Sequence, residues 1–139
     1  MKTARRILVA AFGDAGHAFP AIALGRELDR RGHEVRIETW ELWRGPIENL
    51  GLSFEGAEEY EIFPPPAPGE RPSAADAALA LEPLFEEFEP ELVVSDILTL
   101  APSLAAERAG CPRATLIPHL YPVHGPGLPF FATGFRLPR

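Results

Sequence analysis

An uninterrupted apolar run, Ile7-Leu8-Val9-Ala10-Ala11-Phe12, breaks at Gly13-Asp14-Ala15-Gly16 and is followed by His17 and Pro20. Such a run, without polar alternation, is the pattern of a strand covered on both faces, which implies a parallel sheet flanked by helices. The glycines end the strand, and Pro20 suits the first turn of the helix that follows. His17 therefore stands at a strand-to-helix join. Open α/β sheets bind ligands there, because the helix N-terminus offers unpaired N–H groups and a partial positive charge.

The alternation continues along the chain. Ala21, Leu24, Gly25 and Leu28 recur at helical spacing, Arg30 and Arg31 suit the negative end of that helix, and Gly32 suits its C′ position. Strands are expected at 35–39, 52–55, 92–96 and 114–117, with a helix at 42–50 interrupted by Gly45-Pro46 and another at 101–109 closed by Gly110. Ala78, Leu81, Phe85 and Phe88 predict a further helix that Pro83 kinks or restarts. The pattern predicts an α/β fold with a Rossmann-like, doubly wound parallel sheet in strand order 3-2-1-4-5. Residues 63–72 carry too many prolines for helix or sheet and read as an exposed loop. The alternation stops at Pro118, so the chain divides into a domain at 1–118 and a Pro- and aromatic-rich segment at 119–139.

Composition narrows the function classes. With 139 residues, 20 acidic against 13 basic side chains and a net charge of −7, the chain has no basic run suited to nucleic acid. The basic start, Lys2 to Arg6, precedes an apolar run too short for a signal peptide, and no stretch approaches bilayer length, so a cytoplasmic location is expected. Cys111 is the single cysteine, which excludes an internal disulfide and reads as a small buried hydrophobe beside a strand.

In the expected strand order, the strands preceding His17 and ending at Asp96 are neighbours about 4.8 Å apart. A carboxylate at one tip then reaches an imidazole just beyond the other. Asp96 would fix the tautomer and favour the imidazolium, leaving the second ring nitrogen to take a proton from a hydroxyl. The alternative is that each residue only caps the helix beside it. Gly13-x-x-Gly16 is not a dinucleotide fingerprint, and Glu38 at the end of the second strand is a poor ribose ligand. No P-loop is present, and Lys2 is the only lysine. His33 reads as a turn residue, whereas His119 and His124 read as pocket lining or solvent-facing rather than as metal ligands.

The segment Gly16-His17-Ala18-Phe19-Pro20-Ala21-Ile22-Ala23-Leu24-Gly25-Arg26-Glu27-Leu28, with Arg31-Gly32-His33-Glu34-Val35 after it, resembles the opening of GT-B glycosyltransferases. Leu92-Val93-Val94-Ser95-Asp96-Ile97, followed by an alanine-rich helix, Gly110 and Pro112, is similar to a later signature of the same N-terminal domain. The likeness is to the bacterial macrolide and natural-product branch of family 1. It implies an acceptor-binding domain of an inverting transferase, with His17 as general base and Asp96 steadying it. It also implies no metal and a UDP- or TDP-sugar donor held mostly by a C-terminal domain.

Within the resemblance, Phe12, Phe19, His119, Leu120, Tyr121, Phe130 and Phe131 are candidate contacts for an apolar, hydroxyl-bearing acceptor, and Gly13 and Gly16 lie in the loop near the donor phosphates. Core packing is an equal alternative for each aromatic. The expectation is a fragment or half-enzyme that is inactive or weakly active alone and acquires a C-terminal donor domain in cis or trans. An exposed interdomain face would favour self-association. Two rivals stand beside this reading: half of a lipid-linked GlcNAc transferase, and a non-catalytic small-molecule or regulatory module.

Overall fold

The computed structural model describes residues 3–57 and 72–118. Five parallel strands, β1 (Arg6–Ala10), β2 (Glu34–Thr39), β3 (Ser53–Gly56), β4 (Leu92–Asp96) and β5 (Arg113–Leu116), form one sheet in the order β3-β2-β1-β4-β5. This is the expected doubly wound order, reversing direction between β1 and β4. β1 sits at its centre because both its faces are covered. Ile7 and Val9 pack on one side with Val35, Ile37 and Val94, and Leu8 packs on the other with Val93.

Helix α1 (Ala15–Arg30) covers the first face. It starts earlier than expected: Asp14 is its N-cap, accepting from the His17 N–H at 3.0 Å, and Pro20 lies inside the helix rather than opening it. An Asp cap satisfies an orphan donor, and that stabilisation outcompetes the preference of proline for the first turn. At the other end Gly32, at φ 88°, closes the helix as expected. Its N–H donates to the Asp29 carbonyl at 2.7 Å and that of His33 to Leu28 at 3.2 Å, a Schellman arrangement that only a left-handed residue permits. Gly25 lets α1 approach β2, since a Cβ there would meet Ile37 Cδ1 at 2.3 Å.

The expected helix at 42–50 is a 3-10 turn, Glu41–Trp43, running into a short α2 (Arg44–Glu48). On the second face lie α3 (Ala74–Ala80), α4 (Glu82–Phe88) and α5 (Leu100–Arg108). The break between α3 and α4 falls at Leu81, and Pro83 occupies the first turn of the restarted helix, where its missing N–H costs nothing. Ser73 and Asp76 open α3 with a reciprocal capping box. Cys111 is half-buried rather than fully buried, its Sγ donating to the Pro90 carbonyl at 3.0 Å. His33 is a turn residue as expected, its Nδ1 accepting from the Arg5 N–H at 3.2 Å.

Candidate active site

Parallel strands deliver their C-terminal ends to one edge of the sheet, and the reversal of direction between β1 and β4 opens a crevice there. The register pairs Ala10 with Ser95, so Asp96 comes level with the residues that leave β1. Its carboxylate is fully buried. Oδ2 accepts from the Phe12 N–H at 2.5 Å and the Thr99 hydroxyl at 3.2 Å. Oδ1 accepts from the Leu98 N–H at 2.6 Å and lies 3.1 Å from His17 Nδ1.

The helix caps beside the pair belong to other residues. Asp14, not His17, caps α1, and Thr99, not Asp96, occupies the N-cap position of α5. The His17 imidazole is left facing Asp96, with 13% of its side chain exposed. Nδ1 is the ring nitrogen that faces the carboxylate. A carboxylate with four partners has few alternative positions, and it holds the ring in one orientation.

An aromatic wall flanks the imidazole. Phe12 meets His17 edge-on at 6.0 Å and Trp40 at 4.8 Å, and Phe19 packs edge-on against Trp43 at 5.0 Å. Trp43 Nε1 donates to the Gly13 carbonyl at 2.8 Å. Trp40 lies so close to the loop that a Cβ on Gly13 would sit 2.0 Å from its ring. Gly13 is thus demanded by packing against Trp40. Gly16 is exposed in the first turn of α1, where a Cβ would meet only the Asp14 carboxylate at 3.6 Å.

Trp40 and Trp43 are absent from the sequence-based site. Their signal was available, because both tryptophans of the chain follow the end of β2 directly and parallel strands share one crevice edge. Phe12 is half-buried beside His17, and Phe19 is 60% exposed in α1. His119, Leu120, Tyr121, His124, Phe130 and Phe131 lie outside the described residues, as do all of residues 63–72 except Pro72.

Glu38 is 3% exposed and faces α3 and α5. Burial, reinforced by the neighbouring Glu55 carboxylate, pushes its carboxyl from 4.5 up to about 8. The folded chain keeps a proton there that the unfolded chain releases above about pH 4.5. Stability attributable to Glu38 therefore falls as pH rises from about 4.5 to 8, by on the order of a few kcal/mol, and is flat above that window. Glu38→Gln, which cannot ionise, is expected to raise Tm at pH 8 and to flatten the decline between pH 5 and 8. Thermal melts across that range check this, and an unchanged slope would refute it.

The sheet order, the crevice and the pair at its edge define the N-terminal domain of a GT-B glycosyltransferase. The chain matches the family described as "Glycosyltransferase family 28 N-terminal domain" over residues 7–115 and belongs to it. It is 30% identical over 138 residues to 4'-demethylrebeccamycin synthase of Lentzea aerocolonigenes, covering 84% of this chain and 33% of that protein. It is 34% identical over 102 residues to the UDP-N-acetylglucosamine--N-acetylmuramyl-(pentapeptide) pyrophosphoryl-undecaprenol N-acetylglucosamine transferase of Novosphingobium aromaticivorans, covering 65% of this chain and 24% of that protein. The glycosyltransferase SsfS6 of Streptomyces sp. SF2575, solved with thymidine diphosphate, shares the fold at a TM-score of 0.60 and 24% identity over 80% of this chain and 38% of its own. The chain spans about a third of the length of the curated relatives it matches.

Proposed function

We propose that this chain is the acceptor-binding part of an inverting, nucleotide-sugar-dependent glycosyltransferase acting in the cytoplasm. The observation that carries the reading is the buried Asp96 carboxylate 3.1 Å from His17 Nδ1 at the crevice edge. His17 Nε2 accepts the proton of an acceptor hydroxyl as its oxygen attacks the anomeric carbon of the sugar. The bond to the nucleoside diphosphate breaks on the opposite side, so the configuration inverts. The proton stays on His17, and the resulting imidazolium is stabilised by Asp96. No covalent enzyme intermediate is needed.

Phe12, Phe19, Trp40 and Trp43 give the crevice an apolar wall suited to an aromatic or alicyclic acceptor. The thymidine diphosphate of SsfS6 and the UDP-sugar named for the Novosphingobium relative support a TDP- or UDP-sugar donor. The exposed backbone of Gly16 in the first turn of α1 suits an approach by donor phosphate. Phe19 and Leu100, 60% and 51% exposed, leave apolar surface for a donor domain in cis or trans, and for self-association without one. No described helix is long and apolar enough to cross a membrane. The 34% identity to the Novosphingobium enzyme favours a second reading, in which the acceptor is lipid-linked.

The test is a transfer assay with the chain alone and joined to a family donor domain, offered UDP- and TDP-sugars with small apolar alcohols and with a lipid-linked acceptor. The joined protein is expected to form product of inverted anomeric configuration on the apolar alcohols, and the chain alone little or none. Product of retained configuration would sink the mechanism, and transfer to the lipid-linked acceptor only would select the second reading.

A further inference from the structure

On the face of the sheet opposite α1, a cavity of about 270 Å³ lies between the β2–β3 edge and helices α3 to α5. Its volume is just below the range of about 300–1,000 Å³ usual for small-ligand sites. Ala77, Leu81, Leu84 and Ala101 make part of its wall apolar. Three carboxylates, Glu38, Glu55 and Glu87, also line it.

Two of the three have a cation. Arg36, its guanidinium stacked 4.7 Å over the Phe88 ring, lies 3.6 Å from Glu55 and 3.1 Å from Glu87. Glu38 differs. It is 97% buried, and its Oε2 has no hydrogen-bond partner among the described residues. A polar atom withdrawn from water without a partner carries a desolvation penalty that a ligand donor would relieve. The side chain is also separate from the catalytic pair. Ile37 packs on the α1 face with Val94, so Glu38, one residue on, points to the other face, whereas Asp96, two residues beyond Val94, shares the face of α1.

We propose that this cavity is a second binding site, which takes the ammonium group of a small amine with an apolar body, and that Glu38 is the counter-ion of that group. Three carboxylates against a single, already engaged arginine favour a cation over a neutral hydroxyl. Glu38 carries a proton in the free chain, for the burial and the Glu55 charge given above. On binding, that proton passes to the buffer and the carboxylate pairs with the ammonium. Glu55 from β3, Glu87 from α4 and Arg36 from β2 are the other charged groups at the site.

The probe is 2-phenylethylammonium, with neutral 2-phenylethanol as its isostere, titrated calorimetrically into the full chain at pH 7 in two buffers of different ionisation enthalpy. The ammonium is expected to bind at least about tenfold more tightly than the alcohol and to release about one proton per ligand. Glu38→Gln is expected to abolish both the preference and the proton release. Ala80→Phe, which puts a ring into the cavity and leaves the carboxyl intact, is expected to abolish binding, with thermal melts confirming that both variants are folded. The proposal is overturned if the ammonium fails to bind, if the alcohol binds as tightly, or if Glu38→Gln keeps the preference. None of these readouts involves sugar transfer, so the outcome is independent of the role of His17.

Discussion

Replacing His17 by alanine in the chain joined to a family donor domain is expected to lower kcat by on the order of 10²- to 10⁴-fold, the usual contribution of a positioned general base. The physical reason is local. An apolar acceptor hydroxyl is a weak nucleophile, and the imidazole has a rigid mount and a buried anion behind it. KM for the acceptor should change little, because the aromatic wall of Phe12, Trp40, Phe19 and Trp43 does not depend on the imidazole for its own packing, apart from the edge contact of Phe12 at 6.0 Å. Steady-state kinetics with a chromogenic acceptor separates the two constants. Turnover that survives the substitution would remove His17 from the mechanism and leave a binding module.

The second large effect is expected at Asp96, and it has two components. Asp96→Ala leaves the Phe12 and Leu98 N–H groups, the Thr99 hydroxyl and the imidazole without their shared acceptor in a buried setting. Stranding several buried donors together costs about 3 kcal/mol or more, which for a domain of this size lowers Tm by about 10–20 °C. Asp96→Asn keeps the volume and one oxygen, but it sets an NH₂ among donors and removes the charge that stabilises the imidazolium. It is expected to melt closer to wild type while losing turnover on the order of 10²-fold or more. Melting curves and kcat measured on both variants separate the structural role from the positioning role. If Asp96→Asn keeps full turnover, Asp96 holds the loop together and does nothing for His17.

The periodic parts of the chain were legible in advance because their signals are local. The apolar runs at 7–12 and 92–94, the glycines that end α1 and α5, and the proline that restarts a helix at α4 each act through their own backbone neighbourhood. The start of α1 was misplaced for the same reason. Proline at position 20 and aspartate at position 14 are both helix-start signals, and the contest between them is settled by the Asp14 carboxylate reaching the His17 N–H. Cys111 was placed too deep, because a strand neighbour at the outer strand β5 is covered from fewer directions than one in the middle of the sheet.

The His17–Asp96 pair was inferable only through an assumed strand order, since 78 residues of sequence separate the two. The order held, and the pair followed from it. Trp40 and Trp43 escaped notice because their place after the end of β2 marks a ligand edge only once the strand order puts β2 beside β1. Their role comes from β2 lying beside β1, which brings them onto the Gly13 loop.

The amino-acid sequence by itself determined the alternation of strands and helices, the position of most helix ends and the family to which the chain belongs, because period, capping and motif are properties of contiguous residues. Only the tertiary structure decided which residues cap the helices and which meet at the crevice edge. Backbone N–H groups of the first turns donate to few partners each, and it is the packing of β1 against β4 that assigns Asp14 to the helix and Asp96 to the imidazole. Tertiary structure also decided the state of Glu38. Its type and place in a strand do not distinguish an ordinary carboxylate from a protonated one, whereas burial beside Glu55 does.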